Sequence, residues 1–142
     1  AEAVKNHPTH ELNIRAYRER WPEMLNGQID GTVEIVNELK SKPVRLLALT
    51  NWSAETFHIG EERFDFLQCF EDVLVSGREK LMKPDPAIFK LLIERYQLNP
   101  AQTVFVDDSK VNVDTASKLG LQALHFTGAN KARSDLQNLG VL

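Results

Sequence analysis

The chain of 142 residues lacks the features that membrane-spanning and nucleic-acid-binding proteins need. Its longest uninterrupted apolar run, residues 46–49, is far shorter than the roughly 18 residues of a membrane span. It has 17 Lys and Arg against 20 Asp and Glu, a net charge of −3, and no concentration of basic residues. Nucleic acid and anionic membranes both require a concentrated basic surface, so neither is expected as a partner.

The chain also has few of the cysteine and histidine residues that form disulfides and zinc sites. Its one cysteine, Cys69, excludes an internal disulfide, and its neighbours Phe66, Leu67 and Phe70 predict a buried apolar thiol rather than a nucleophile. With no recognisable signal peptide, the lone thiol favours the reducing cytoplasm. A zinc site is not expected, because the four histidines are scattered without ligand spacing. They are His7, His10, His58 and His125.

From about residue 44 the chain alternates between strand and helix patterns. Nearly continuous apolar or β-branched runs predict strands at residues 44–50, 72–76, 103–107 and 121–126. Amphipathic helical patterns separate them. Because parallel strands need such crossover connections, the alternation predicts an α/β fold with a parallel sheet and flanking helices.

Two of these helices have clear end signals. Asp85 followed by Pro86 predicts an N-cap with proline at the first helical position, and Gly120 predicts the end of the next helix. The residues Ile88, Leu91, Leu92 and Tyr96 form one face of the first helix, and the second helix carries Val111, Thr115, Ala116 and Leu119.

The N-terminal part does not follow the strand–helix alternation. Residues 11–25 have amphipathic helical spacing, with Pro22 expected to break or kink the helix. Gly27 and Gly31 bracket a hinge-like stretch, and a second helix is predicted over residues 32–40. The chain begins with Ala rather than Met. We interpret this part as a small accessory segment that joins a core at the glycines.

Polar residues lie where three predicted strands end or have just ended. Thr50 and Asn51 end the first strand, Lys83 follows the second in a loop, and Asp107 and Asp108 end the third. Ligands of an open parallel sheet bind beyond the carboxyl ends of its strands. We therefore expect a hydroxyl, an ammonium and two carboxylates to share one edge of the sheet.

The neighbouring acids Asp107 and Asp108 favour a bound cation. Two carboxylates ~4 Å apart repel by ~4 kcal/mol at the effective dielectric of a protein surface. A helix N-terminus offsets only about 0.3–1 kcal/mol of this. Mg²⁺ prefers one or two carboxylates with waters and phosphate oxygens, and Asn112, one helical turn further on, can point to the same place. The spacing leaves open the alternative that one of the acids merely caps the helix.

Lys83 and Thr50 are suited to a phosphoryl group. Pro84 holds the backbone of Lys83 extended, and this restraint keeps the ammonium at a defined position. The Thr50 hydroxyl can donate to a phosphoryl oxygen, with the Asn51 amide beside it as a substrate-binding group. The alternatives, that Lys83 is a solvated surface charge and that Thr50 simply ends a strand, stay open on spacing alone.

Three segments together resemble the haloacid dehalogenase-like (HAD) hydrolase superfamily, most closely its phosphatase-like branch with a helical cap. They are Leu-Ala-Leu-Thr-Asn-Trp-Ser at 47–53, Ser-Gly-Arg-Glu-Lys-Leu-Met-Lys-Pro-Asp-Pro-Ala-Ile-Phe at 76–89, and Val-Phe-Val-Asp-Asp-Ser-Lys-Val-Asn at 104–112. The resemblance implies a Rossmann-like parallel sheet with flanking helices in residues 27–142. Residues 1–26 would be a remnant of the helical cap.

The resemblance also implies a role for each polar residue. Thr50 would bind the transferring phosphoryl group, and Lys83 would neutralise charge on it and on the nucleophile. Asp108 chiefly, and Asp107 secondarily, would hold Mg²⁺, with Asn112 as a ligand or a support. The implied function is a Mg²⁺-dependent phosphatase that acts on a small phosphorylated metabolite through an aspartyl-phosphate intermediate.

One departure from the family concerns the nucleophile. The family uses the first Asp of an Asp-x-Asp motif at the end of its first strand, and this chain has no such motif; Asp30-Gly31-Thr32 lacks the preceding apolar strand. By resemblance, the absent strand would lie between the strands that end at Thr50 and Asp107. We expect it to be supplied as a separate piece, as a segment outside the structure or by a neighbouring copy, and the chain alone to be inactive.

Two other functions stay open. A metal-independent 2-haloacid dehalogenase has the same fold, but displacing a halide needs no divalent cation, and the acidic pair would repel a carboxylate substrate. The missing nucleophile also allows a non-catalytic fragment or binding module.

Overall fold

The computed structural model describes residues 5, 8–10 and 30–142. The predicted helix at 11–25, with Pro22, lies outside the described residues. The strands are β1 (Leu47–Thr50), β2 (Asp72–Val75), β3 (Val104–Asp107) and β4 (Gln122–His125). The α-helices of residues 30–142 are α1 (Asp30–Lys40), α2 (Phe57–Arg63), α3 (Ser76–Glu79), α4 (Pro86–Arg95), α5 (Lys110–Lys118) and α6 (Ala129–Asn138). Short 3-10 helices lie at Pro8–His10, Asp65–Cys69 and Pro100–Gln102.

The four strands form two parallel pairs. β1 pairs with β2, with Thr50 opposite Val75, and β3 pairs with β4, with Asp107 opposite His125. Each predicted strand is present over four residues, and helices connect them, so the α/β prediction is confirmed. Within the described ranges, no hydrogen-bonded ladder joins β1 to β3.

Two buried clusters connect the pairs. The first centres on Phe89 and Ile88 of α4, and Leu49 of β1 and Phe105 of β3 both pack against it. The second is formed by Ile35, Leu39, Ala132 and Leu136 of α1 and α6, with Leu46, Val104 and Leu124 packed against it. Side chains alternate between the faces of a strand, so residues 104 and 105 point to opposite sides. The two strand pairs therefore share a helical layer on each face.

Helix α4 begins as predicted. The Asp85 carboxylate accepts a hydrogen bond from the backbone N–H of Ala87 at 2.8 Å, and Pro86 occupies the first turn. Ile88 and Leu92 are buried as expected, and so is Phe89, which the sequence analysis did not assign to the buried face.

Helix α5 ends as predicted and buries part of its predicted apolar pattern. Gly120 has a φ of 88°, a left-handed conformation that suits glycine, directly after the helix. Of the residues in the predicted pattern, Ala116 is buried, whereas Val111 is 59% exposed. Val113 and Asn112 are buried as well, and the Asn112 amide donates to the Asp107 carboxylate at the end of β3.

Two smaller expectations are also corrected. Gly31 lies within α1 rather than in a hinge. A Cβ at this position would lie 2.8 Å from the Ala129 Cβ, so the glycine permits close packing of α1 on α6. Cys69 is half-buried rather than buried, because it lies in a short 3-10 helix and its thiol donates to Asn37 Oδ1 at 3.4 Å.

In the part of the chain that the structure describes, we find no helix with the length and apolar character required to cross a membrane.

Candidate active site

The ends of β1 and β3 carry the predicted polar residues, and a lysine from a neighbouring loop connects them. The Lys83 ammonium lies 2.5 Å from Oδ2 of Asp107, the last residue of β3. Only 11% of the lysine side chain and 5% of the aspartate side chain are exposed. This ion pair is therefore largely shielded from water, and its attraction is stronger than that of a surface pair.

The Asp107 carboxylate is bonded on both oxygens. Besides Lys83 on Oδ2, Oδ1 accepts the backbone N–H of Ser109 at 2.8 Å and the Asn112 amide at 3.0 Å. Burial raises the pKa of Asp107, but these three donors outweigh it, so its pKa lies below the ordinary value of 3.8. Asp107 is thus a fixed, ionised group, and the Asn112 amide supports it.

The neighbouring acid has different surroundings. Asp108 is exposed, and its carboxylate has no hydrogen bond or ion pair within the described ranges. Its backbone carbonyl accepts a hydrogen bond from Nε2 of His125 at 2.9 Å, so this nitrogen carries the proton. The adjacent carboxylates therefore divide into one that is held by the protein and one that is free to receive a ligand.

The end of β1 contacts the lysine loop through Asn51. Its Nδ2 donates to the carbonyl of Lys83 at 2.9 Å, and its Oδ1 accepts the Lys83 N–H at 2.8 Å. Thr50 precedes Asn51 and is half-buried, and its hydroxyl makes no hydrogen bond within the described part of the chain. Hydrogen bonds thus join four of the six predicted residues, while the Thr50 hydroxyl and the Asp108 carboxylate are left available.

Two further residues of the site were not predicted from the sequence. Phe105 lies 5.9 Å from the Lys83 ammonium, measured to the ring centroid, and it shares a strand face with Asp107 two residues on. Strand periodicity was the signal that could have found it. His125 ends β4 opposite Asp107, and only the register of the two strands reveals its position.

The carboxylates of Asp107 and Asp108 fit Mg²⁺ as two of its ligands, and the remaining ligands would have to come from elsewhere. Asp108 is free, and Oδ2 of Asp107 has one lone pair beyond the one that Lys83 uses. Within the described residues, no group of three or more His, Cys, Asp or Glu side chains is arranged to hold a metal ion. Since Mg²⁺ commonly takes one or two protein carboxylates and completes its shell with water and phosphate oxygens, two acids are a sufficient protein share.

Comparisons with known proteins identify the family. The model of the haloacid dehalogenase-like hydrolases matches residues 2–126. The chain belongs to this family. The family and the fold class that were predicted from the sequence are thus confirmed.

The relatives include two phosphatases. The chain is 30% identical over 105 residues to a sesquiterpene phosphatase of Aspergillus oryzae, covering 74% of this chain and 54% of that protein. It is 28% identical over 116 residues to a phosphorylated carbohydrates phosphatase of Thermotoga maritima, covering 82% and 51%.

A solved structure gives the same family. A HAD family enzyme from Bacteroides thetaiotaomicron, in complex with magnesium and inorganic phosphate, matches with a TM-score of 0.67 at 25% identity, over 74% of this chain and 56% of that one. The chain spans about half the length of the curated phosphatases that it matches, over their C-terminal portion.

Proposed function

We propose that this chain carries the phosphoryl-binding part of a Mg²⁺-dependent phosphatase that acts on a small phosphorylated metabolite. The shielded Lys83–Asp107 pair beside the free Asp108 carboxylate is the observation on which the proposal rests. At one edge of the sheet, the Lys83 ammonium matches a phosphate, and the Asp108 carboxylate matches a divalent metal ion that accompanies it. The relatives named as phosphatases, and the solved relative with magnesium and phosphate, support it.

Each residue has one task in this proposal. Thr50 donates its hydroxyl to a phosphoryl oxygen, and the Lys83 ammonium neutralises negative charge on the phosphoryl group. Asp108 and Asp107 would hold Mg²⁺, which supplies positive charge to the phosphoryl oxygens when bound. Asn112 keeps Asp107 oriented through its amide.

The attacking carboxylate is proposed to come from a strand inserted between β1 and β3. Each of these strands has one hydrogen-bonded neighbour in the described residues. All four β1 residues are partly exposed, and Val106 of β3 is 39% exposed, which is high for a strand enclosed by two helical layers. The strand would come from a separate piece, a segment outside the structure or a neighbouring copy.

In the first step, the carboxylate oxygen of that strand would form a bond to phosphorus while the bond from phosphorus to the leaving oxygen breaks. Water would then attack the resulting aspartyl phosphate and release inorganic phosphate.

Two expectations about the context of the chain stay predictions. One is a cytoplasmic location, and the other is that residues 1–26 are the remnant of a helical cap on a core at 27–142.

Hydrolysis of p-nitrophenyl phosphate tests the proposal. The assay compares the chain alone with a chimera that carries the N-terminal portion of the Thermotoga phosphatase ahead of it, each with Mg²⁺ and with EDTA. We expect hydrolysis only by the chimera with Mg²⁺, and a loss of about 10²–10³ in kcat for its Lys83→Gln variant. A chimera in which the added motif carries Asn for the first Asp is the matched inactive control.

Each other outcome contradicts a separate part of the proposal. Activity of the chimera in EDTA would exclude the metal role, and activity of the chain alone would place the nucleophile within it. A stable, folded chimera without activity would favour a binding module instead.

A further inference from the structure

We infer that Asn51 is a positioning residue, which places the Lys83 ammonium by holding the lysine's backbone. This inference rests on the proposed function, in which that ammonium meets a phosphoryl group. It differs from the substrate-binding role that the sequence suggests for Asn51, because it makes the lysine, and not a ligand, the partner of the amide.

A reciprocal pair of hydrogen bonds connects Asn51 to the backbone of Lys83. Asn51 Nδ2 donates to the Lys83 carbonyl at 2.9 Å, and Asn51 Oδ1 accepts the Lys83 N–H at 2.8 Å. Both distances are near the optimum for N–H···O bonds. Because the amide is planar and rigid, two bonds to one residue determine the orientation of the Lys83 backbone as well as its distance from the end of β1.

The other end of Lys83 is held by the opposite strand pair. Its ammonium contacts Asp107 at 2.5 Å and lies 5.9 Å from the Phe105 ring, both on β3. A lysine side chain has four flexible bonds and loses considerable rotamer freedom when it is ordered. With its backbone held by Asn51 and its ammonium held by Asp107, Lys83 bridges the two strand pairs in one conformation.

Asparagine is specifically suited to this position. The Lys83 peptide groups present one donor and one acceptor, and a side-chain amide supplies the complementary acceptor and donor from one planar group. In Asn51→Asp the acceptor is kept, but a carboxylate oxygen would face the Lys83 carbonyl and repel it. We therefore expect Asn51→Asp to release the loop as Asn51→Ala does, although the two side chains have nearly the same size.

Chemical labelling of Lys83 tests the inference without any ligand. The full chain is treated with a limiting amount of acetic anhydride, and mass spectrometry gives the acetylation rate of each lysine. We expect Lys83 to react slowly in the parent chain and about tenfold faster in Asn51→Ala and Asn51→Asp, because two hydrogen bonds no longer restrain it.

The matched control is Asn99→Ala. Asn99 Oδ1 accepts the N–H of Ala101 at 3.1 Å, so this variant also removes an amide–backbone bond, but at the opposite end of β3. Its Lys83 rate should equal that of the parent, and the melting temperature of each variant shows that it is folded. If Asn51→Ala does not fold, Asn51→Asp carries the test. Equal Lys83 rates in the parent and a folded Asn51 variant would overturn the inference.

A double-mutant cycle distinguishes positioning from direct substrate contact. Calorimetry with inorganic phosphate and Mg²⁺ compares Asn51→Ala in the parent and in a Lys83→Gln background. A positioning residue should weaken phosphate binding about tenfold in the parent and leave it nearly unchanged without the lysine. An equal loss in both backgrounds would show direct contact and overturn the inference. A parent that binds no phosphate would contradict the proposed function alone, because the labelling rates are independent of phosphate.

Discussion

The two strand pairs have the same length and direction, but they end in different chemistry. The β1–β2 pair ends with neutral groups, the Thr50 hydroxyl and, just beyond it, the Asn51 amide. The β3–β4 pair ends with a buried, ionised Asp107 that is followed by the exposed Asp108. Charge is therefore concentrated on one pair, while the other pair holds the loop that delivers the compensating lysine.

The difference shows why neither pair makes a site by itself. Asp107 can be buried because backbone and amide donors at the start of α5 reach it and Lys83 completes the set. Lys83 in turn is held through its backbone by Asn51. The anion comes from one pair and the cation from a loop fastened to the other, so the ion pair exists only when the two pairs are assembled. Four substitutions test this comparison.

Phe89→Ala should have the largest effect, because Phe89 packs in the cluster that both strand pairs share. The residue is fully buried, and its ring lies 5.3 Å from that of Phe105, edge to face. We expect a loss of about 4 kcal/mol in the free energy of unfolding, measured by urea denaturation. Val111→Ala, at an exposed position, should change it by no more than about 0.5 kcal/mol. A loss below about 1 kcal/mol for Phe89→Ala would show that the cluster does not join the pairs.

Lys83→Met should come next, because it leaves the Asp107 carboxylate buried without its cation. We expect a loss of about 3 kcal/mol in the free energy of unfolding. The double variant Lys83→Met with Asp107→Asn removes the charge and should recover part of that loss. If the double variant is as unstable as the two single losses added together, the two side chains do not act as a pair.

Gly77→Ala tests the β1–β2 pair alone. A Cβ on this α3 residue would lie 2.3 Å from the backbone nitrogen of Ala54 and 3.0 Å from the backbone of Ser53. Alanine in place of glycine ordinarily stabilises a helix by about 0.5–1 kcal/mol, whereas here we expect a loss of about 2 kcal/mol. A higher melting temperature in Gly77→Ala would contradict the close approach.

Arg133→Gln should have the smallest effect. Arg133 of α6 contacts Glu38 of α1 at 2.5 Å on the surface, where ion pairs contribute little. The hydrogen bond from Arg133, opposed by desolvation, holds the pKa of Glu38 below 4.5. Because the folded state has the lower pKa, the pair stabilises the protein above about pH 4.5, and that contribution disappears as the pH falls through the folded pKa.

The stability difference between the parent and Arg133→Gln should therefore be present near neutral pH and should disappear as the pH falls through the folded-state pKa of Glu38, which lies below 4.5. NMR titration of the Glu38 carboxyl should give a higher pKa in the variant than in the parent. Lys131→Gln, on the same helix, is the control and should leave that pKa unchanged. An identical Glu38 pKa in the parent and Arg133→Gln would contradict the contact.

Much of the fold follows from local patterns. Nearly continuous apolar or β-branched runs predicted β1 to β4, and the Asp85–Pro86 signal predicted the start of α4, because both depend on residues close in sequence. The strand-end rule predicted that Lys83 and Asp107 share one edge, and their charged atoms lie 2.5 Å apart.

What the sequence did not reveal depends on distant partners. Val111 is exposed and Val113 is buried on α5, whose Asn112 bonds to Asp107 of the neighbouring strand. Periodicity alone does not distinguish helix faces that differ by two residues. Likewise, the composition of the Asn51 side chain indicates a donor and an acceptor but does not indicate that both engage Lys83, 32 positions further along the chain.

The bonding of the Asp107 carboxylate limits how this group can meet a cation. With one donor on Oδ2 and two on Oδ1, the group cannot rotate about its own axis without breaking a bond. The remaining lone pair of Oδ2 therefore has a fixed direction, and a cation bound there would lie beside the Lys83 ammonium. Two neighbouring positive charges repel each other, so an anion that contacts both would be favoured at this edge of the sheet.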